Sequence, residues 1–132
     1  MRLLTHNFLQ SNVKGTTNGY PLKIEATNII VEESPMDVGL VTRMVAKVDY
    51  GALVAAVSEI RATELLAAEQ IPDIPTEKPD LQVTDSNALL EALHVILFNI
   101  HILEGSLICP DTGRQFPIKD GIPNMMLHED EI

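Results

Sequence analysis

Early in the chain, apolar and polar residues alternate. After the turn signal Thr16-Thr17-Asn18-Gly19, the residues Tyr20, Leu22, Ile24 and Ala26 are separated by Pro21, Lys23 and Glu25, the period of a half-buried strand that Ile29-Ile30-Val31 can extend. Residues 1–34 as a whole read as extended structure with turns. Beyond the break at Ser34-Pro35 the period lengthens: Met36, Leu40, Val41, Met44, Val45 and Val48 form one helical stripe, which Gly39 weakens, and Leu53, Val57, Ile60 and Glu64 form another. The pattern predicts two helices, over about 36–48 and 50–68, with so little chain between them that they form a hairpin or a kinked pair. Pro72, Pro75 and Pro79 make residues 70–84 a surface loop, since proline at that density interrupts any helix. Asp85 or Ser86 then caps a third helix, with Leu89, Leu93, Ile96, Leu97 and Ile100 on its main apolar face and Val95 and Phe98 on the other side. At Asn99-Ile100-His101-Ile102 the period returns to two, so helix gives way to strand there.

From Gly105 to Leu127, short apolar runs are punctuated by Pro110, Asp111, Gly113, Pro117, Gly121 and Pro123, as in β-hairpins. Neither β-like flank is long enough to bury a core alone, so the two must share one small sheet with the helical middle inserted between them. The predicted class is α+β: a β unit from residues 1–34 plus 100–132, and an inserted helical unit of about three helices from 35–99.

Composition narrows function. The chain has 132 residues, enough for one core, and nine basic against nineteen acidic side chains give a net charge of −10. Residues 1–34 and 105–127 are neutral, residues 35–104 carry −7, and Glu129, Asp130 and Glu131 supply the rest. Nucleic-acid binding by this chain alone is disfavoured, because phosphate backbones call for a basic patch. The polar groups in Met1-Arg2-Leu3-Leu4-Thr5-His6-Asn7 do not fit a secretion signal, and the apolar run Leu89 to Leu103 is interrupted and too short for a membrane span. One cysteine, Cys109, cannot form an internal disulfide and suits a reducing compartment, so cytoplasm and nucleus are the expected locations.

No catalytic constellation emerges. Cys109-Pro110-Asp111-Thr112-Gly113 sits where a zinc knuckle would carry Cys-x-x-Cys, but the second position is Thr112 and no histidine is spaced to complete a site. Asp111-Thr112-Gly113 matches the tripeptide of aspartic proteases, whose dimers oppose two carboxylates, yet Pro110 and Arg114 replace the apolar strand that would deliver such an aspartate, and a solvated turn is the ordinary reading. His94 and His101 are seven apart, without a third ligand or a nucleophile. Glycines are too dispersed for a nucleotide loop. One feature asks for a role: Phe116-Pro117-Ile118 and then Gly121-Ile122-Pro123-Asn124-Met125-Met126-Leu127 offer a strand, a turn and large flexible apolar side chains. Such a segment either closes the sheet or presents an edge and adaptable methionines to a partner.

Three blocks resemble a known family: Met1 to Leu9, Leu103-Glu104-Gly105-Ser106-Leu107-Ile108-Cys109-Pro110-Asp111-Thr112-Gly113-Arg114, and Phe116 to Leu127. In order, spacing and total length they are similar to the multifunctional methyltransferase activator subunit of eukaryotes, while residues 35–100 are similar only in helical character. The resemblance implies a non-catalytic subunit with a zinc-ribbon-like domain, bound one-to-one and mutually exclusively to class I methyltransferases for tRNA, small-subunit rRNA and the class-1 release factor. S-adenosylmethionine would belong to the partner, with no cofactor in this chain. Family members that bind zinc use four cysteines, and the corresponding positions here are Ser11, Thr16 or a neighbour, Cys109 and Thr112. Zinc is therefore not expected, and the ribbon would be held by apolar packing and ladder hydrogen bonds alone. The expected partner-binding set is Thr5, Asn7, Phe8, Phe116, Ile118, Ile122, Pro123, Asn124, Met125 and Met126, with Phe116 to Ile122 adding as an edge strand to the methyltransferase sheet. The competing readings are a homodimeric aspartic hydrolase using Asp111 and an adaptor unrelated to methylation.

Overall fold

A computed structural model describes residues 1–80 and 87–132. The expected cap of the third helix, Asp85 or Ser86, and residues 81–84 of the proline-rich loop lie outside the described residues.

The architecture is α+β. The helices are α1 (Leu3–Asn7), α2 (Val38–Lys47), α3 (Tyr50–Thr63) and α4 (Asn87–His94); the strands are β1 (Lys23–Val31), β2 (Ile100–Ile108), β3 (Gln115–Lys119) and β4 (Ile122–Pro123). The sheet runs β1-β2-β3-β4 with every neighbouring pair antiparallel, so the first flank contributes β1 and the last flank the other three strands. Ile24 and Ile29 of β1, Ile102 and Leu107 of β2, and Phe116 and Ile118 of β3 alternate onto the buried face.

Sequence capping explains the two middle helices. Asp37 accepts from Leu40 N at 3.0 Å to start α2, and Asp49 accepts from Ala52 N at 3.1 Å to start α3. Val41 and Val45 of α2, and Leu53, Ala56, Val57 and Ile60 of α3, face the core. The second helix stops at Thr63 rather than residue 68, because Glu64 turns into the left-handed region at φ 58° and the Thr63 hydroxyl accepts from Leu65 N. Glu64 thus leaves the face on which periodicity had placed it.

The switch near residue 99 is as expected. After α4, one π turn over Val95–Asn99 buries Ile96, Leu97, Phe98 and Asn99, and β2 begins at Ile100. His94 and His101 consequently sit on different elements. His94 Nε2 lies within 3.2 Å of the Ser34 hydroxyl and carbonyl, whereas His101 is half-buried on β2 opposite Ile30.

Two local features depart from the sequence reading. The first residues form the five-residue helix α1 instead of an extended segment; a helix that short is held by what it touches. Leu3 is fully buried, His6 Nε2 bonds the Leu22 carbonyl at 2.7 Å, and the Asn7 amide brackets the corner between α2 and α3, donating to Asp49 O at 2.8 Å and accepting from Asp49 N at 2.9 Å. Tyr20 and Leu22 precede β1 rather than joining it, with the Tyr20 hydroxyl donating to Asn7 O. Within β1 the register slips between Ala26 and Ile29. Opposite this bulge, Gly105 has φ 149°, and a Cβ there would meet Glu25 O at 2.2 Å and the Ala26 Cα at 2.8 Å, so no other residue fits.

Candidate functional site

The β3–β4 connection is a two-residue turn with Asp120 at φ 51° and Gly121 at φ 78°, the left-handed pair a tight hairpin requires. The turn is pinned where Gly121 N donates to Leu103 O at 2.9 Å. It delivers Ile122 and Pro123 back along β3, opposite Lys119 and Ile118. Asn124 N then donates to Pro117 O, and its side-chain oxygen accepts from Met126 N at 3.0 Å, which bends the chain outward. Between the turn and this bend lies a concavity of about 600 Å³ lined by Lys119, Asp120 and residues 122–126.

This surface is apolar and open. Ile122 is 69% exposed and Met126 79%, and Met125 is half-buried against the core. Most apolar side chains of that size in the sheet are buried or half-buried and Ile30 on β1 is 38% exposed, so the far greater exposure of Ile122 and Met126 at an edge marks a contact surface. Phe8, 58% exposed just past α1, is a further apolar group, with Thr5 exposed on the same short helix. The α1 segment hangs beside the sheet through Ile102 N donating to Met1 O and the Arg2–His101 bridge, on the strand whose Leu103 holds the β3–β4 turn.

The other expected contact residues are placed differently. Asn7, Phe116 and Ile118 are only 2%, 1% and 4% exposed. Asn7 is occupied by Asp49, and the two β3 side chains point into the core because alternation along the strand sends them there. Nor is Phe116 to Ile122 a free edge. β2 pairs with β3 on one side, β4 covers its end on the other, and the Asn124–Pro117 bond extends that cover. The accessible rim is the segment from Ile122 to Met126. Lys119 and Asp120, absent from the expected set, also line the concavity; their signal was the charged pair next to the glycine of the turn.

A second cluster forms around Cys109, which is 1% exposed at the end of β2. The turn closes with Gly113 N on Cys109 O and Cys109 N on Arg114 O. Thr112 N donates to the sulfur at 3.5 Å, Thr16 Oγ1 lies 3.7 Å from it, and Ser11 is buried in the loop that precedes Thr16. Burial by itself pushes the Cys109 thiol up, but the Ser11 and Thr112 hydroxyls with the Thr112 and Asp111 amides outweigh it and bring the thiol down to about 6. Asp111 is exposed and accepts from Thr17 N at 2.5 Å, Thr17 Oγ1 at 2.7 Å and Asn18 N at 3.3 Å, bonds that hold its carboxyl below the usual range. A carboxylate held by three donors on a solvated turn is a clamp, and nothing in this arrangement supports the aspartic-hydrolase reading.

Of the four positions that the family resemblance assigns to zinc ligands, Thr16 and Thr112 meet Cys109, and with Ser11 the set offers one sulfur and three hydroxyls. Zinc takes thiolate, imidazole or carboxylate ligands, so the donor set does not fit it. Among the described residues no three His, Cys, Asp or Glu side chains gather as a metal site, and no helix is long and apolar enough to cross a membrane.

Comparison with known proteins agrees with the architecture. The chain matches the Trm112p-like protein family over residues 2–121. It is 44% identical to the multifunctional methyltransferase subunit TRM112 homolog A of Arabidopsis thaliana, covering all of both chains. It is 39% identical to the TRM112-like methyltransferase subunit of Mus musculus over 99% of this chain and 98% of that one, and 29% identical to the Saccharomyces cerevisiae subunit over 96% of each. Among solved structures, the E. cuniculi Mtq2-Trm112 complex responsible for methylation of the eRF1 translation termination factor aligns with TM-score 0.56 and 20% identity, covering 96% and 95% of the two chains, a likeness of fold.

Proposed function

The chain belongs to the Trm112p-like protein family, and from that premise we propose that it is the non-catalytic, stabilising subunit of several S-adenosylmethionine-dependent methyltransferases. The substrates proposed for those complexes are tRNA, small-subunit rRNA and the class-1 release factor. Supporting the last of these is the eRF1-methylating complex that contains the structural relative. The observation that carries the reading is the apolar rim at Ile122 to Met126, placed at the end of a sheet with its turn already rigid. A methyltransferase strand or loop laid on this rim would bury side chains that are now in water.

The mechanism is thermodynamic. A catalytic chain with an exposed apolar patch is poorly folded or insoluble alone, and a subunit that binds only its native state stabilises it by mass action, about 4 kcal/mol at a thousandfold excess over the dissociation constant. Cofactor and chemistry reside in the catalytic chain. The negative charge of residues 35–104 keeps the pair soluble while leaving RNA contacts to the partner. One rim serves every partner, so the one-to-one complexes are mutually exclusive, and they form in cytoplasm and nucleus.

The test is to tag the protein in its own cells, purify it at moderately high salt and identify stoichiometric partners by mass spectrometry. Several methyltransferases, each in a separate one-to-one complex, are expected. Recovery of partners with no methyltransferase among them would replace this reading with an adaptor role, and recovery of the free chain alone would remove the rim as an interface.

A further inference from the structure

The strand ladder joining the two flanks of the sequence stops at the Lys23–Ile108 pair. Beyond it, the loop of residues 11–18 and the turn of residues 109–113 must be joined by other means, although they are 93 to 94 residues apart in sequence. The centre of the joint is closed off from the surface, with Ser11, Val13 and Cys109 all buried. Ser11 Oγ accepts from Val13 N, and Ser11 N donates to Gly19 O at 2.8 Å, so the loop's own bonds hold Ser11 in place on this side of the joint. From the opposite side Thr112 is delivered by the tight turn after Cys109.

We propose that this joint is closed by hydrogen bonds in place of a metal ion: the Thr16 hydroxyl and the Thr112 amide meet at the Cys109 sulfur beside the buried Ser11, the Asp111 carboxylate fastens residues 17 and 18, and the chain reaches its full fold without zinc. The donor chemistry carries it. Neutral hydroxyls donate to sulfur but do not match zinc's preference for thiolate or imidazole, and the carboxylate beside them faces Thr17 and Asn18. This corrects the expectation that packing and ladder bonds alone hold the ribbon, since the clamp lies outside the ladder. The same geometry retains the places of a four-ligand site, so that Ser11→Cys, Thr16→Cys and Thr112→Cys together should recreate one around Cys109.

The experiment uses the full chain. Zinc is measured by elemental analysis of the purified protein, melting is followed with and without a chelator, and Co²⁺ is titrated into the wild type and the triple variant. The expected result is a wild type with far less than one zinc per chain, melting unchanged by chelator, and no thiolate–cobalt absorption. The triple variant is expected to take up one Co²⁺ per chain with the visible bands of a tetrahedral thiolate centre. Stoichiometric zinc in the wild type, with a fall in melting temperature on chelation, would overturn the proposal, as would a folded triple variant that binds no cobalt. If the triple variant does not fold, Asp111→Asn decides the clamp: lower melting, equal with and without chelator, is expected, and unchanged melting overturns it.

Discussion

Replacing Ile122 by Thr and Met126 by Gln keeps a β-branched residue in β4 and an unbranched one beyond it, while removing the two most exposed apolar side chains of the rim. Full burial of an Ile or Met side chain contributes about 1.5–3 kcal/mol. With 69% and 79% of the two residues still in water, a partner covering them would gain about 1–2 kcal/mol from each, or about 2–4 kcal/mol together. The double variant should therefore bind a methyltransferase partner roughly 30- to 700-fold more weakly. Where wild type is present at a thousandfold excess over its dissociation constant, a hundredfold loss lowers the partner's stabilisation from about 4 to about 1.4 kcal/mol, enough to show as reduced solubility. The assay is calorimetric titration of the partner at one fixed salt concentration, beside chemical denaturation of the free subunit. Exposed positions should leave the free subunit within about 0.5 kcal/mol of wild type. Affinity within threefold of wild type would refute the rim as the interface, and an equally large loss of the subunit's own stability would show that both side chains belong to its core.

Further tests separate the frame from the rim. Gly105→Ala forces a Cβ into the Glu25 carbonyl at a backbone conformation unfavourable to side chains, so denaturation should show a loss of about 3 kcal/mol or more; tolerance of alanine would mean the bulge relaxes freely. Asn7→Ala leaves Asp49 N and O without their side-chain partner, and urea titration should register about 1–3 kcal/mol, with partner affinity at equal folded concentration unchanged. Acid should loosen the knuckle. Asp111 is held below its ordinary value of 3.8 by Thr17 and Asn18, and Glu131 is brought down from 4.5 to about 2, chiefly by Arg114. Folded-state values below the unfolded ones mean that both contributions are complete above about pH 5 and are lost as pH falls through 4 toward 2. Glu59, raised by burial, works in the opposite direction. Melting followed from pH 7 to 2 should therefore fall in the acid range, and by less in Asp111→Asn; an identical slope in that variant would exclude the clamp's contribution.

Much of the site was legible because the chemistry of a turn is local. The strand, the turn and the flexible apolar residues after it are read from the segment Phe116 to Leu127, and Ile122 to Met126 follow the turn by chain connectivity alone. What sequence left undecided was which side of β3 faces water. Phe116, Ile118 and Ile122 look alike as letters, yet two are core and one is 69% exposed, because the first two alternate onto the buried face of β3 while the turn carries the third onto the rim. Asn7 was drawn into the interface by its neighbours, when its amide brackets the corner between α2 and α3.

By itself the sequence determined the α+β class, the helical middle, the switch from helix to strand near residue 99 and the pairing of both flanks in one sheet, since each follows from hydrophobic period and from flanks too short to fold alone. Only the tertiary structure decided the five-residue helix α1, the bulge opposite Gly105 and the fastening of Thr17 and Asn18 by Asp111. Those features depend on contacts between residues far apart in the chain, such as Thr17 and Asp111, 94 positions apart, and no local pattern of polar and apolar residues encodes a distance in space.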